Sequence, residues 1–262
     1  MPLILYEHPL SPYAQKCKIA LAEKGVAFEA RMPQAIGTGA RDEGFLEANP
    51  RGEVPALVEG AVSIFDSTII LEYIEDRWPD PPLLPAGAYA RARARTVEEI
   101  MDTQYDAIVW GMGEIGWFGR AEGEAAAALT ARARGQLEGL HAWLSRELDE
   151  APWFGGERFG WGDLAAIPYV NGAAGFGLGP DPNSRLGRWQ ARANARPSVA
   201  ACNEAIRAIA GQMAGVAGAV KAGLFKREYR DHRLEWMMRS GGAAIVTAGM
   251  EAGTIRFSNE LS

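Results

Sequence analysis

Apolar positions along this chain follow two regimes, and the change falls near residue 80. Before it, short strand-like runs are interleaved with helical patterns. Leu3-Ile-Leu-Tyr6 reads as a short strand, and Glu7-His-Pro-Leu-Ser11-Pro12 leads into a helix running to about Lys24. Ser11 is a good N-cap and Pro12 a good first helical residue. Tyr13, Cys17, Ala20 and Leu21 recur at helical spacing with Ile19 beside them, and Gly25 is a natural stop. Val26, Ala27 and Phe28 begin a second strand, so a β–α–β unit presents Ser11 at its helix N-terminus. Ile69, Ile70, Tyr73, Ile74 and Trp78 form the apolar face of a further helix, with Glu72, Glu75 and Asp76 turned outward.

Trp78-Pro-Asp-Pro-Pro-Leu-Leu-Pro85 cannot continue that helix and reads as a linker. Beyond it the helical period dominates. Helices are expected from 89 to about 114, from 122 to about 148, and over 163–176, 186–195 and 198–211. Lys226-Arg-Glu-Tyr-Arg-Asp-His-Arg-Leu-Glu-Trp-Met-Met-Arg239 predicts a charged amphipathic helix, broken by Gly241-Gly242 before a mostly apolar run over 243–250. The expected division is 1–80, 86–225 and an extension over 226–262. That extension either packs on its own domain or forms a lid over a site or an arm onto a partner subunit.

The block Asn49-Pro-Arg-Gly-Glu-Val-Pro-Ala-Leu57, followed by Asp66-Ser67-Thr68, carries the chemistry. Proline cannot donate to a sheet ladder, so Val54-Pro55 is expected as a tight cis turn that leaves the Val54 backbone groups unpaired. Those groups suit a peptide that adds to the sheet edge like an extra strand. Asp66-Ser67 opens a helix whose backbone N–H groups favour a carboxylate, and Asp66 suits an ammonium. Glutathione has that combination: one peptide edge, one free carboxylate and one free amine. An ordinary β-turn before an ordinary capped helix is the plainer reading of the same residues.

With the Ser11-Pro12 helix start and Phe159-Gly-Trp-Gly-Asp163-Leu-Ala, these motifs make the chain resemble the soluble glutathione transferase family over most of its length. The resemblance implies an α+β protein, with a thioredoxin-like N-terminal domain (βαβ-ββα), an all-α C-terminal domain, and a dimer. A serine at position 11 marks the serine-type classes: theta-, zeta- or tau-like. It further implies that Val54 meets the cysteinyl backbone of glutathione across cis-Pro55, that Asp66 and Ser67 hold the γ-glutamyl end, and that Arg41 or Arg51 meets the glycyl carboxylate. Asp163 would cap the central helix of the second domain. Relatives usually place Ser or Thr three residues before that aspartate, and this chain has Gly160, so the reciprocal capping box is incomplete.

A thioredoxin-like fold that exchanges disulfides needs Cys-x-x-Cys, and here the run is Ser11-Pro-Tyr-Ala14. A serine can still hydrogen-bond a thiolate supplied by the ligand. A free thiol titrates near ~8.5, and a charge-assisted hydrogen bond of roughly 1.5–3 kcal/mol lowers that by about one to two units. Ser11 is thus the candidate catalytic residue, alongside its role as a plain N-cap. Leu10, Tyr13, Tyr105, Trp110, Met112, Trp117 and Phe118 are candidates to line an aromatic-accepting electrophile pocket; the alternative is an inter-helix core. The segment Asp102–Gly119 is also similar to bacterial glutathione-dependent β-etherases, which displace an aryloxide. Three readings stand: a transferase, a glutathione-dependent lyase or isomerase such as a β-etherase, and a noncatalytic binding module.

Composition narrows the partners. With 262 residues and 48% hydrophobic content the chain can build one or two real cores, and its net charge of −6 argues against a nucleic-acid backbone as main partner. No apolar run is long enough for a bilayer and no signal peptide is visible, so a cytoplasmic protein is expected. Cys17 and Cys202 are too few for a disulfide framework, and Cys17 reads as a core residue. No His/Cys/Asp cluster has metal-ligand spacing.

Overall fold

A computed structural model describes residues 2–34 and 42–257. The N-terminal part is a four-stranded sheet of order β2-β1-β3-β4, built from β1 (Leu3–Tyr6), β2 (Glu29–Arg31), β3 (Ala56–Glu59) and β4 (Val62–Phe65). β1 runs parallel to β2 and antiparallel to β3, which pairs antiparallel with β4; Leu5 sits opposite both Ala30 and Leu57. One face is covered by α1 (Pro12–Glu23) and α3 (Ser67–Arg77), which bury Cys17, Leu21, Ile70 and Ile74 against Leu5 and Leu57. The short α2 (Glu43–Ala48) covers the other face, where Phe45 and Ala48 pack with Tyr6 and Ala56. This is the thioredoxin-like arrangement, followed by helices.

The helical part opens with α4 (Ala88–Ile100) and α5 (Asp106–Gly116), joined without a break by one π turn over Met101–Tyr105. The long α6 is Gly123–Leu148. α7 (Trp161–Gly175) is buried along almost all its length and packs between α1 and α4; α8 (Arg185–Asn194) and α9 (Pro197–Ile209) come next. Asp163 caps α7. It accepts from the Gly160 and Phe154 backbone N–H groups at 2.9 and 3.1 Å and from the Trp189 indole at 2.7 Å. The glycine at 160 has a steric cause: a Cβ there would lie 2.5 Å from the Leu83 carbonyl oxygen, which accepts the Trp161 N–H at 2.8 Å. The incomplete capping box therefore reflects close packing of the linker on the helix start.

After α10 (Val216–Lys221) the chain departs from the expected helix at 226. Arg227–Glu228 form a short strand, β5, parallel to β6 (Ile255–Arg256). The Arg227 N–H donates to Thr254 and the Tyr229 N–H to Arg256, at 2.8 and 2.9 Å, so α11 starts only at Asp231 and runs to Ser240. α12 is Ala243–Glu251. α11 lies across α5, and Gly111 makes that crossing possible, because a Cβ there would stand 2.2 Å from the Trp236 ring.

One polar cluster ties the sheet region to the helices. Lys16, in α1, is fully buried; its ammonium lies 2.5 Å from Glu98 and also contacts Asp102. Glu98 further accepts from the Thr68 hydroxyl at 2.9 Å and the Trp161 indole at 2.5 Å, and Asp102 accepts from the Tyr169 hydroxyl at 2.7 Å. Removing one partner of such a buried set leaves uncompensated charge, at about 3–5 kcal/mol. Lys16→Met is accordingly expected to lower unfolding stability by that amount in a denaturant titration, whereas a loss under about 1 kcal/mol would show the cluster to be energetically idle.

Candidate functional site

A cavity of about 770 Å³ opens where the N-terminus of α1 meets α5, α7 and the segment after residue 224. Ser11 lies on its wall as the N-cap of α1, its hydroxyl accepting the Ala14 N–H at 3.3 Å. Pro12 at the first helical position fixes that start. His8 and Leu10 continue the wall; the His8 Nδ1 accepts the Leu10 N–H at 3.2 Å, and burial holds its imidazole below the usual histidine range.

A narrow recess adjoins this cavity, with Val54, Pro55, Asp66, Ser67 and Arg51 along it and Arg230 bordering both. The turn before it is built by its own sequence. Asn49 accepts the Arg51 N–H at 3.0 Å through its side chain and donates to the Glu53 carbonyl at 2.6 Å, while Gly52 takes a positive φ of 66°. The Val54–Pro55 bond is cis. Among the described residues the Val54 N–H and C=O make no backbone hydrogen bond. Asp66 caps α3, accepting from the Thr68 and Ile69 N–H groups at 3.0 and 3.3 Å. Its φ of 75° is a conformation rare outside glycine, and such outliers concentrate at functional sites. Arg51 lies 3.3 Å from Glu53. Arg41 falls outside the described residues.

Of the seven expected electrophile-pocket residues, Leu10, Tyr13, Trp110, Trp117 and Phe118 line the cavity. Tyr105 and Met112 do not; both belong to the hydrophobic core, and the Tyr105 hydroxyl lies 2.9 Å from His141 Nε2. The reason is helical geometry. Asp106, Val109, Trp110, Gly113 and Trp117 form one stripe at i, i+3, i+4, i+7 and i+11, and positions 105 and 112 lie on the other face. The Tyr13 hydroxyl is committed to the Asp102 carbonyl at 2.6 Å. Its phenol stays protonated well above the usual tyrosine range, through burial and then the Asp106 carboxylate. Both thiols are buried, and burial pushes Cys202 up to about 11. Among the described residues no group of three His, Cys, Asp or Glu is placed to hold a metal, and no helix is long and apolar enough to cross a membrane.

Sequence reasoning left a lid over the site open for the C-terminal segment but named none of the residues it contributes to the wall. Arg227, Arg230, Arg233 and Arg256 all reach the cavity, with Phe225 beside them. Arg227 lies 3.7 Å from the Phe118 ring centroid and 4.9 Å from that of Trp110; Arg230 and Arg233 lie 5.7 and 5.9 Å from that of Tyr13. The basic run was visible as a charged amphipathic helix, without a sign of which face turns inward. Of the run's own acids Glu228 lines the cavity, and α5 supplies another. Asp106, from α5, meets Arg233 at 2.8 Å and His232 at 3.0 Å. Burial pushes the Asp106 carboxyl up, but Arg233 and His232 outweigh it and hold it at about 2.

Known proteins similar to this chain identify its family. Residues 5–82 match the family model for the glutathione S-transferase N-terminal domain. A probable glutathione S-transferase, GSTU1 of Oryza sativa subsp. indica, is 32% identical over 216 residues, which cover 76% of this chain and 87% of that one. A glutathione S-transferase from Methylobacterium radiotolerans, solved in complex with glutathione sulfonate, is 34% identical with a TM-score of 0.63, over 77% of this chain and 94% of that one. A tau-class enzyme from mango, Mangifera indica, superposes with a TM-score of 0.68 at 25% identity, over 81% and 99% of the chains. The chain belongs to the glutathione S-transferase family.

The Asp106–Arg233 pair makes a pH prediction. The aspartate's value is about 2 in the fold against an ordinary 3.8, so its contribution is complete above 3.8 and is lost as the pH falls towards 2. Arg233→Met is expected to lose about 3 kcal/mol at neutral pH, and the gap between variant and parent should narrow steadily below pH 4. Equilibrium unfolding across that range checks it; a constant gap would disprove the linkage.

Proposed function

We infer that this protein is a glutathione transferase whose Ser11 stabilises the glutathione thiolate. The observation that carries the reading is the convergence of three backbone features on one cavity and its adjoining recess: the Ser11 start of α1, the Val54 backbone before cis-Pro55, and the Asp66–Ser67 start of α3. Glutathione laid along Val54 would place its thiol towards Ser11 and its γ-glutamyl end at Asp66 and Ser67, with Arg51 and Arg41 as candidates for the glycyl carboxylate. The crystal complex of the Methylobacterium radiotolerans relative with glutathione sulfonate supports that ligand.

The thiol proton leaves to solvent, the thiolate sulfur attacks an electrophilic carbon, a C–S bond forms, and the C–X bond breaks with its electron pair going to the leaving group. A halide leaving group gives substitution. An aryloxide gives ether cleavage, the β-etherase reaction, by the same geometry. Trp110, Trp117 and Phe118 around the cavity favour an aromatic body in either case.

Ser11→Ala is expected to keep glutathione affinity within a few-fold while losing about 10–100-fold in kcat/KM near neutral pH, together with the ultraviolet thiolate band. Near-wild-type turnover would remove the assigned role. Asp66→Ala should instead weaken glutathione binding in a calorimetric titration, and unchanged affinity would sink that assignment.

The family reading extends to a dimer. Val62 on β4, Ile69 on α3 and Tyr89 on α4 are exposed apolar residues, Tyr89 at 78%. A dimer that covers them is expected, and light scattering at the mass of one chain would refute it.

A further inference from the structure

The cavity wall contributed by the C-terminal segment carries more positive charge than its acids balance. Arg233 is matched by Asp106 and Arg256 by Glu228. The other two arginines are not matched singly. Glu114, fully buried, pairs with Arg227 and also with Arg120 at 3.1 Å. Glu53 lies 3.3 Å from Arg51 and 3.9 Å from Arg230, and among the described residues it is the one carboxylate within 4.0 Å of Arg230. Each of these carboxylates is shared by two guanidiniums, so each set leaves a positive charge over. Arg207 and Lys226 add to the rim. Burial also pushes the Glu228 carboxyl up, with Glu53 adding to the push and Arg256 opposing it.

The same guanidiniums rest on aromatic faces. Arg227 stacks on Phe118 and approaches Trp110, and Arg230 stands over Tyr13. Stacking fixes a guanidinium without using its N–H donors; the Arg227 Nε–H is already given to Glu114, so a ligand carboxylate would meet its other N–H groups. The floor between them is apolar: Val109, Trp110, Phe118 and Phe225.

We propose that the second substrate is anionic, an apolar aromatic-sized body carrying a carboxylate, which Arg227 and Arg230 hold while the body lies on Trp110 and Phe118. This substrate class rests on the transferase reading: Arg227 lines the cavity alone, whereas Arg230 borders both the cavity and the recess beside Val54 and Asp66, so the carboxylate would sit at the junction of the two. The carboxylate takes no part in bond making; it sets which carbon faces the thiolate.

Two measurements on the intact protein separate this from that reading. The first is calorimetric binding of 3,5-dinitrobenzoate and of its neutral amide, 3,5-dinitrobenzamide, with and without S-methylglutathione. Neither aromatic ligand carries a leaving group, so turnover plays no part. The benzoate is expected to bind at least about tenfold more tightly, with the margin shrinking as salt is added. Equal or weaker binding of the benzoate overturns the proposal. The second is kcat/KM for 4-chloro-3,5-dinitrobenzoate against its amide, corrected for the uncatalysed reaction with glutathione. A preference for the acid is again expected. Arg230→Gln should collapse it, and Arg230→Lys, which keeps the charge, should retain much of it. A preference intact in Arg230→Gln, with only glutathione affinity reduced, would place Arg230 on the glutathione and overturn its role here. Selective binding without turnover of either chloride upholds the anion site and sinks the transferase reading. Turnover of both chlorides without selectivity does the reverse.

Discussion

The buried ammonium of Lys16 is the interaction on which the geometry of the site depends. Burial alone would strip its proton, but Asp102 and Glu98 outweigh that cost and keep it charged, with its pKa above the usual lysine range. The consequence is positional. Lys16 sits one turn past Ser11 and Pro12, so its anchor fixes the α1 start from which Ser11 faces the cavity. Asp102 binds Lys16 and Tyr169 through its carboxylate and receives the Tyr13 hydroxyl on its carbonyl. One turn later Asp106 receives Arg233 and His232. Ser11 and the guanidinium wall are thus registered to each other through four residues of α1 and the α4–α5 junction, not through a mobile loop.

That junction is a π turn, and its effect can be read in the side chains. A single π turn shifts the phase of the helix beyond it. Asp102 lies inside the turn and faces α1, whereas Asp106 just after it faces the cavity; Tyr105 between them goes into the core beside Tyr169. The periodic run from 89 to 114 gave no sign of this change of phase. It explains why the expected pocket residues divided as they did. Trp110 and Trp117 lie on the stripe set after the turn, and Tyr105 and Met112 do not.

The features legible in the sequence were local. The Ser11-Pro12 start of α1 and the Asp66 start of α3 are each closed by hydrogen bonds among residues within three positions of one another, so residue chemistry alone points to them. Gly160 was legible as a departure but not as a cause, because the Leu83 carbonyl that excludes a Cβ is far away in sequence. The cationic wall was illegible for a different reason. Binary patterning over 226–239 shows an amphipathic segment but not which face meets the rest of the molecule, and here the face with Tyr229, Arg233, Trp236 and Met237 turns inward. Arg227 adds to the same difficulty, since its strand pairing is with Thr254 and Ile255, beyond two intervening helices.

The C-terminal segment is therefore better understood as a wall of the site than as an appendage. Its attachment is apolar where it can be: Trp236 fits over Gly111, and Tyr229, Met237 and Val246 are buried. Its charges are then placed where the apolar packing leaves room, at the cavity. Burying arginines is costly unless acids or aromatic faces compensate them. Glu114 and Asp106 supply the acids from α5, and Phe118, Trp110 and Tyr13 supply the faces. A purely structural attachment would be served equally well by one acid for each guanidinium. Glu114 and Glu53 are instead each shared between two arginines, and of those four guanidiniums Arg227 and Arg230 are the two that reach the cavity.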